Sequence, residues 1–161
     1  MSCGMIPGDI QNPPSSGGGG GASPQFLMLK NGGVKGSTNT NIVYYDTTEL
    51  SVGSDIIIAP TSSSANGTSI QVLKDGLYTI GMILYDGGPA NTSAQLMAGP
   101  AISNSFNWAN VAAIQSALIN DLTTLNCRCY LNANDFVWVW HSNPVGLLSS
   151  APESAIIRVS N

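Results

Sequence analysis

The clearest alternation of apolar and polar positions in the chain runs from Leu125 to Ser142. In its second arm, Phe136, Trp138 and Trp140 fall on one side and Val137, Val139 and His141 on the other. β-Branched and aromatic residues at period two predict strands, and Asn132-Ala133-Asn134-Asp135 predicts a tight polar turn between two of them. Two of the three Trp residues sit in this hairpin, which is therefore expected to carry much of the core burial.

The same logic divides the rest of the chain. Gln25 to Lys30 fits a first short strand or a docking segment, before an Asn31-Gly32-Gly33 turn. Asn41 to Asp46 predicts a strand with Ile42 and Tyr44 on one face and Val43 and Tyr45 on the other. A short apolar run, Ile56-Ile57-Ile58, ends at Pro60, and a polar loop follows to Thr68. Ile70 to Asp86 divides at a Lys74-Asp75-Gly76 turn. Beyond it Tyr78, Ile80, Met82 and Leu84 alternate with Leu77, Thr79, Gly81, Ile83 and Tyr85. A further strand covers Ser93 to Ile102, broken by Gly99-Pro100, and Ala155 to Ser160 forms a terminal one. Between Asn107 and Asn120 the spacing of Val111, Ile114 and Leu118 favours a short helix or loop leading into a strand, although Ile114, Ser116 and Leu118 also fit a strand. Many short strands, regular turns and little helix make an all-β fold, an antiparallel sandwich or jelly roll.

The first 24 residues, with Pro13-Pro14 and the Gly17–Gly21 run, carry too little apolar surface to offset the entropy of ordering a core. The expected organisation is an extended N-terminal arm and docking segment over residues 1–35 and a jelly-roll domain over 36–161. Met5, Ile6, Ile10, Pro13 and Pro14 would be the arm's contacts with a neighbouring subunit. A free tail is the alternative.

Composition narrows the function. In 161 residues only 9% are charged, against roughly 25% in ordinary soluble domains, so the surface is built from Ser, Thr, Asn, Gln, Gly and backbone. Such a surface repels weakly and suits a subunit of an assembly. A net charge of −4 with five Lys plus Arg offers no patch to neutralise phosphates, which argues against nucleic acid. No apolar run is long enough to span a bilayer, and the N-terminus lacks the basic start and apolar core of a signal peptide.

Candidate chemistry is sparse. Cys127 and Cys129 share one face of one strand without the geometry for a mutual bridge, and Cys3 lies in the arm, so free thiols in a reducing compartment are expected. His141 has no triad to join and suits a structural position at a strand end. The acidic residues are scattered singly beside turns, where a carboxylate serves local backbone donors; a paired-carboxylate site has no supporting aromatic cluster. Calcium could sit between turn carboxylates such as Asp86 or Asp135, but no run of ligands is visible. No enzyme activity, metal or cofactor is expected.

Two motifs carry a family resemblance. Asp75-Gly76-Leu77-Tyr78-Thr79-Ile80 resembles the Gly-x-Tyr strand of the tumour necrosis factor and complement globular-head jelly rolls. Leu131-Asn132-Ala133-Asn134-Asp135-Phe136-Val137-Trp138-Val139 is similar to their Leu-x-x-Gly-Asp-x-Val-x-Val hairpin, with Asn134 in place of Gly. Gly76, Tyr78, Asp135, Val137, Trp138 and Trp140 are the signature positions. The resemblance covers about Asn41 to Asn161 and implies a homotrimer with aromatic residues packed near its axis. Small, charge-poor trimers with Gly-rich arms look like decoration (cement) proteins of bacteriophage capsids. The expected function is thus a virion protein on the capsid surface, trimeric and clamping neighbouring major capsid proteins. The alternative is the head of a tail fibre or spike that recognises host glycans, with loop aromatics such as Tyr85 or Trp108.

Overall fold

The computed structural model describes residues 23–31, 37, 39–86, 92–105, 111–117, 121–142 and 155–161. Among them are ten strands and no helix: β1 Phe26–Lys30, β2 Thr47–Val52, β3 Ile56–Ile58, β4 Ser69–Val72, β5 Gly76–Asp86, β6 Thr92–Gly99, β7 Val111–Ala117, β8 Asp121–Leu131, β9 Phe136–His141 and β10 Ala155–Ser160. They form two antiparallel five-stranded sheets, ordered β2-β1-β10-β5-β8 and β3-β4-β9-β6-β7. Residues 26–30 are a true strand, paired on one side with β2 and on the other with β10.

Period-two alternation puts one apolar row of each strand between the sheets. From the first sheet come Leu27, Leu29, Tyr78, Ile80, Met82, Leu84, Leu125, Ile157 and Val159; from the second, Ile56, Ile70, Val72, Leu96, Val137 and Val139. The longest ladder pairs all of β5 with β8, from Gly76↔Leu131 to Asp86↔Asp121.

Three sequence expectations need correction. First, the 125–142 hairpin carries much of the core burial, as expected, through Leu125, Leu131, Val137 and Val139, but Trp138 and Trp140 do not fill the inter-sheet core. The face of Val137, Val139 and His141 points inward, and Trp138 packs on the outside of the second sheet with Ile42, Met97, Ile102, Phe136 and Trp140. Period two cannot say which face of an aromatic strand is the inner one. Burying Trp138 is worth about 3 kcal/mol, but its indole N–H has no acceptor among the described residues, which costs about 1–3 kcal/mol. The inter-sheet core therefore dominates.

Second, residues 41–46 form no strand. Ile42 bridges Trp140, and Val43 donates its N–H to the Val139 carbonyl (2.9 Å) while its own carbonyl accepts from Thr68 (3.0 Å). Beyond that point side chains replace a strand partner: Asn31 Nδ2 donates to the Tyr44 carbonyl (2.7 Å), and the Thr68 hydroxyl accepts from Tyr45 N–H (2.8 Å). The segment leaves the second sheet for β2 in the first, so no single neighbour can pair with its length.

Third, Val111–Ala117 is a strand, laddered with β6 from Thr92↔Ala117 to Met97↔Val111. A sheet edge open for pairing overrides a weak helical spacing.

Candidate functional site

The two sheets differ on their outer faces. On the second sheet the aromatic row of β9 is covered by Ile42 and Ile102. On the first, the ladder registers place Val52, Phe26, Ser160, Thr79 and Arg128 in one row and Leu50, Met28, Arg158, Gly81 and Asn126 in the next. Ile156, Ile83 and Thr124 continue it on one side, Leu77 and Tyr130 on the other. Leu50, Val52, Leu77 and Ile83 are 39–48% exposed and Tyr130 is 64% exposed. Apolar side chains open to water in adjoining rows of one face mark an interaction surface.

Both arginines of the chain, Arg128 and Arg158, stand on this face. Arg158 lies beside a shallow depression of about 170 Å³ between Met28, Ile83, Ile156 and Thr124, where its Nη2 donates to Asn126 Oδ1 (3.2 Å). The surface thus mixes apolar side chains with cationic points at Arg128 and Arg158, and with Lys30, which pairs with Glu49, in a chain of net charge −4.

The signature residues gather at one end of the sandwich. Asn134 adopts φ 72°, the left-handed turn conformation expected where the motif carries Gly. The buried Asp135 carboxylate accepts from Asn132 N–H (2.8 Å), and Asp75 Oδ1 accepts from Ala133 N–H (2.6 Å). Asn134 N–H donates to the Val72 carbonyl (2.7 Å) and Val72 N–H to that of Asp135 (3.0 Å), which locks the β8–β9 turn to the end of β4. Tyr78, fully buried, donates its hydroxyl to the Lys74 carbonyl (2.8 Å); burial and the nearby Asp55 and Asp75 carboxylates push its phenol up. Lys74 in turn pairs with Asp55 (2.9 Å). Gly76, Tyr78, Asp135 and Val137 hold this corner together, while Trp138 and Trp140 belong to the outer cluster.

These contacts give Asp75 and Asp135 structural roles at the turn. Among the described residues no three His, Cys, Asp or Glu side chains converge on a possible metal position. His141 is buried at the end of β9, where its N–H donates to the Asn41 carbonyl (2.7 Å). Cys127 and Cys129 are half-buried free thiols packed against the core. The hydrogen bond between them pushes Cys127 up and holds Cys129 down at about 7. The arm positions Met5, Ile6, Ile10, Pro13 and Pro14, Trp108 and the Tyr85 side chain lie outside the described residues, as does Asp86's carboxylate.

The outer-face residues Leu50, Val52, Ile83 and Tyr130 were not singled out as a surface by sequence reasoning. The signal was present in β5, where Leu77 and Ile83 are apolar on the face opposite Tyr78, Ile80 and Met82. A strand apolar on both faces is buried on both.

No protein family profile and no curated protein matches the chain in sequence. Solved structures do match in shape. Murine APRIL at pH 8.5 is similar with a TM-score of 0.64 and 13% identity, over 86% of this chain and 98% of that one. Murine APRIL at pH 5.0 gives a TM-score of 0.60 and 14% identity over the same shares. The GITRL of pika gives 0.51 and 13% identity, over 86% and 94%. These neighbours are jelly rolls of the tumour necrosis factor family, so the resemblance seen in the two motifs extends to the fold: the chain is a tumour necrosis factor-like jelly-roll β-sandwich.

Proposed function

We infer that the protein is a non-enzymatic structural head that self-associates through the outer face of β2-β1-β10-β5-β8. The observation that carries this reading is the group of open apolar side chains Leu50, Leu77, Ile83 and Tyr130, spread over neighbouring rows of one sheet face. Burying that group against a second and third copy removes it from water at about 25 cal/mol per Å². A three-fold arrangement follows from the family that the motifs and fold resemble. Both arginines lie on this face, so each would need an acceptor across the interface to offset its desolvation.

Within that reading, the trimer is a bacteriophage capsid decoration protein, with the N-terminal arm lying on the major capsid protein. Low charge and the Gly- and Pro-rich arm support it; three arms per trimer would give avidity without one strong site. Three experiments test the layers separately. Sedimentation equilibrium should find a trimer that Ile83→Arg converts to a folded monomer; a trimer unaffected by the change refutes the interface. Quantitative mass spectrometry of purified particles should find this protein near-stoichiometric with the major capsid protein, and its absence from particles refutes the virion reading. Deleting residues 1–24 should abolish capsid attachment and leave the trimer intact.

A further inference from the structure

On the other side of the molecule, outside the second sheet, the loop between β3 and β4, the segment at Ile42 and the residues after β6 enclose a cleft of about 310 Å³. That is at the small end of the roughly 300–1,000 Å³ typical of small-molecule sites. Half-buried Ile102 gives it an apolar wall and the buried Ile42 lies at its base, both in the cluster around Trp138. Thr40, Thr61, Asn66 and Asn104 supply hydroxyls and carboxamides. None of the described lining residues is ionisable.

The polar groups are held in place by their own contacts. Asn104 Oδ1 accepts from Asn41 N–H (2.7 Å) and its carbonyl accepts from Trp140 Nε1 (3.0 Å), which leaves the amide NH₂ as a donor. Asn66 is fixed through its backbone: its N–H donates to the Ser63 carbonyl (3.2 Å) and its carbonyl accepts from Thr40 Oγ1 (2.9 Å). Its Nδ2 leans toward the Thr61 carbonyl (3.4 Å), so its side-chain oxygen remains an acceptor. Gly67, at φ +80°, closes this loop against Ile42. Preorganised groups of this kind lose little entropy on binding.

We propose that this cleft binds one ring of an uncharged saccharide, with its C–H face on Ile42 and Ile102 and its hydroxyls met by Asn66, Asn104 and Thr61. A charged ligand would be desolvated here without a counter-charge, whereas a wholly apolar one would strand the carboxamides. A sugar ring combines an apolar face with a rim of hydroxyls. The proposal is independent of the oligomeric state.

The test is saturation-transfer NMR on the full chain with glucose, galactose and N-acetylglucosamine, each as monosaccharide and as soluble oligomer. Thr61 is exposed, so Thr61→Trp should keep the thermal melt while filling the cleft. Transfer from at least one monosaccharide, abolished by Thr61→Trp and weakened about tenfold by Asn66→Ala, is the expected result. No transfer from any sugar, transfer that survives Thr61→Trp, or transfer from oligomers alone overturns the single-ring site. Tighter binding of a sugar phosphate than of its neutral parent overturns the choice of ligand class.

Discussion

Arg158 and Asn126 meet across the top of Gly81, on the strand that lies between theirs. A Cβ built on Gly81 would come within 2.6 Å of Asn126 Oδ1 and 2.7 Å of Arg158 Nε, so the pair exists because the middle position has no side chain. The crowded atoms are ends of flexible side chains and can move aside. Gly81→Ala should therefore cost little in the protomer, within about 1 kcal/mol in urea denaturation. It should break the pair and weaken self-association measurably in sedimentation equilibrium, because the pair lies in the proposed interface.

Gly67 is the opposite case. Its φ of +80° disfavours any Cβ, and one placed there would lie 2.6 Å from Ile42 Cβ and from the Ile42 backbone carbonyl. Backbone cannot swing aside as a side-chain tip does. Gly67→Ala should destabilise the fold by about 2 kcal/mol or more, read from the shift of the urea midpoint at unchanged slope.

Asn134 should respond with a graded series. Asn134→Gly removes the left-handed cost and should be neutral or stabilising by up to about 1 kcal/mol. Asn134→Val should destabilise by about 1–2 kcal/mol, since a β-branched residue fits that conformation poorly. Equal midpoints for the two variants would show that the turn does not hold its positive φ in solution.

The two turn carboxylates should differ. Asp135 is buried, so Asp135→Ala leaves Asn132 N–H without its acceptor and should cost about 1–3 kcal/mol. Asp75 is exposed, and water can replace it at Ala133 N–H; Asp75→Ala should cost about 1 kcal/mol or less. Thermal melts of both variants at one pH check the order.

Cys129 should alkylate at lower pH than an ordinary thiol. The Cys127 thiol donates to its sulfur and favours the thiolate, so its reaction rate with iodoacetamide should rise as pH passes about 7, not 9.0. Cys127→Ala removes the donor and should return the midpoint toward 9.0. Peptide mass spectrometry separates the two sites; an unshifted midpoint in the variant would show that the hydrogen bond is not the cause.

How much of this the sequence revealed depended on whether the determining contacts were local. The Asn132–Asp135 turn and the alternation of Tyr78, Ile80, Met82 and Leu84 are set by neighbouring residues, and both were legible. The inward face of β9 was not: it depends on Ile42, nearly a hundred positions upstream, arriving to cover Trp138 on the outside. The 41–46 segment failed for a related reason, because its backbone partners are Thr68, Asn31 and Val139. The proposed saccharide cleft joins three stretches that lie far apart in the sequence. The charge-poor composition pointed to assembly, but only the ladder registers gather Leu50, Leu77, Ile83 and Tyr130 onto one surface.

The position of β10 sets the order of events during synthesis. It pairs with β1 on one side and β5 on the other, so the middle strand of its sheet leaves the ribosome after the other nine. Until it arrives, β1 and β5 each expose an unpaired edge, and the nascent chain is open to pairing with other copies. Closing the sheet joins residues as distant as Phe26 and Ser160, a separation that makes folding slow. A chain stopped before Ala155 would lose the partner common to both halves of the sheet and become prone to aggregate, even though most of its apolar residues would already be present.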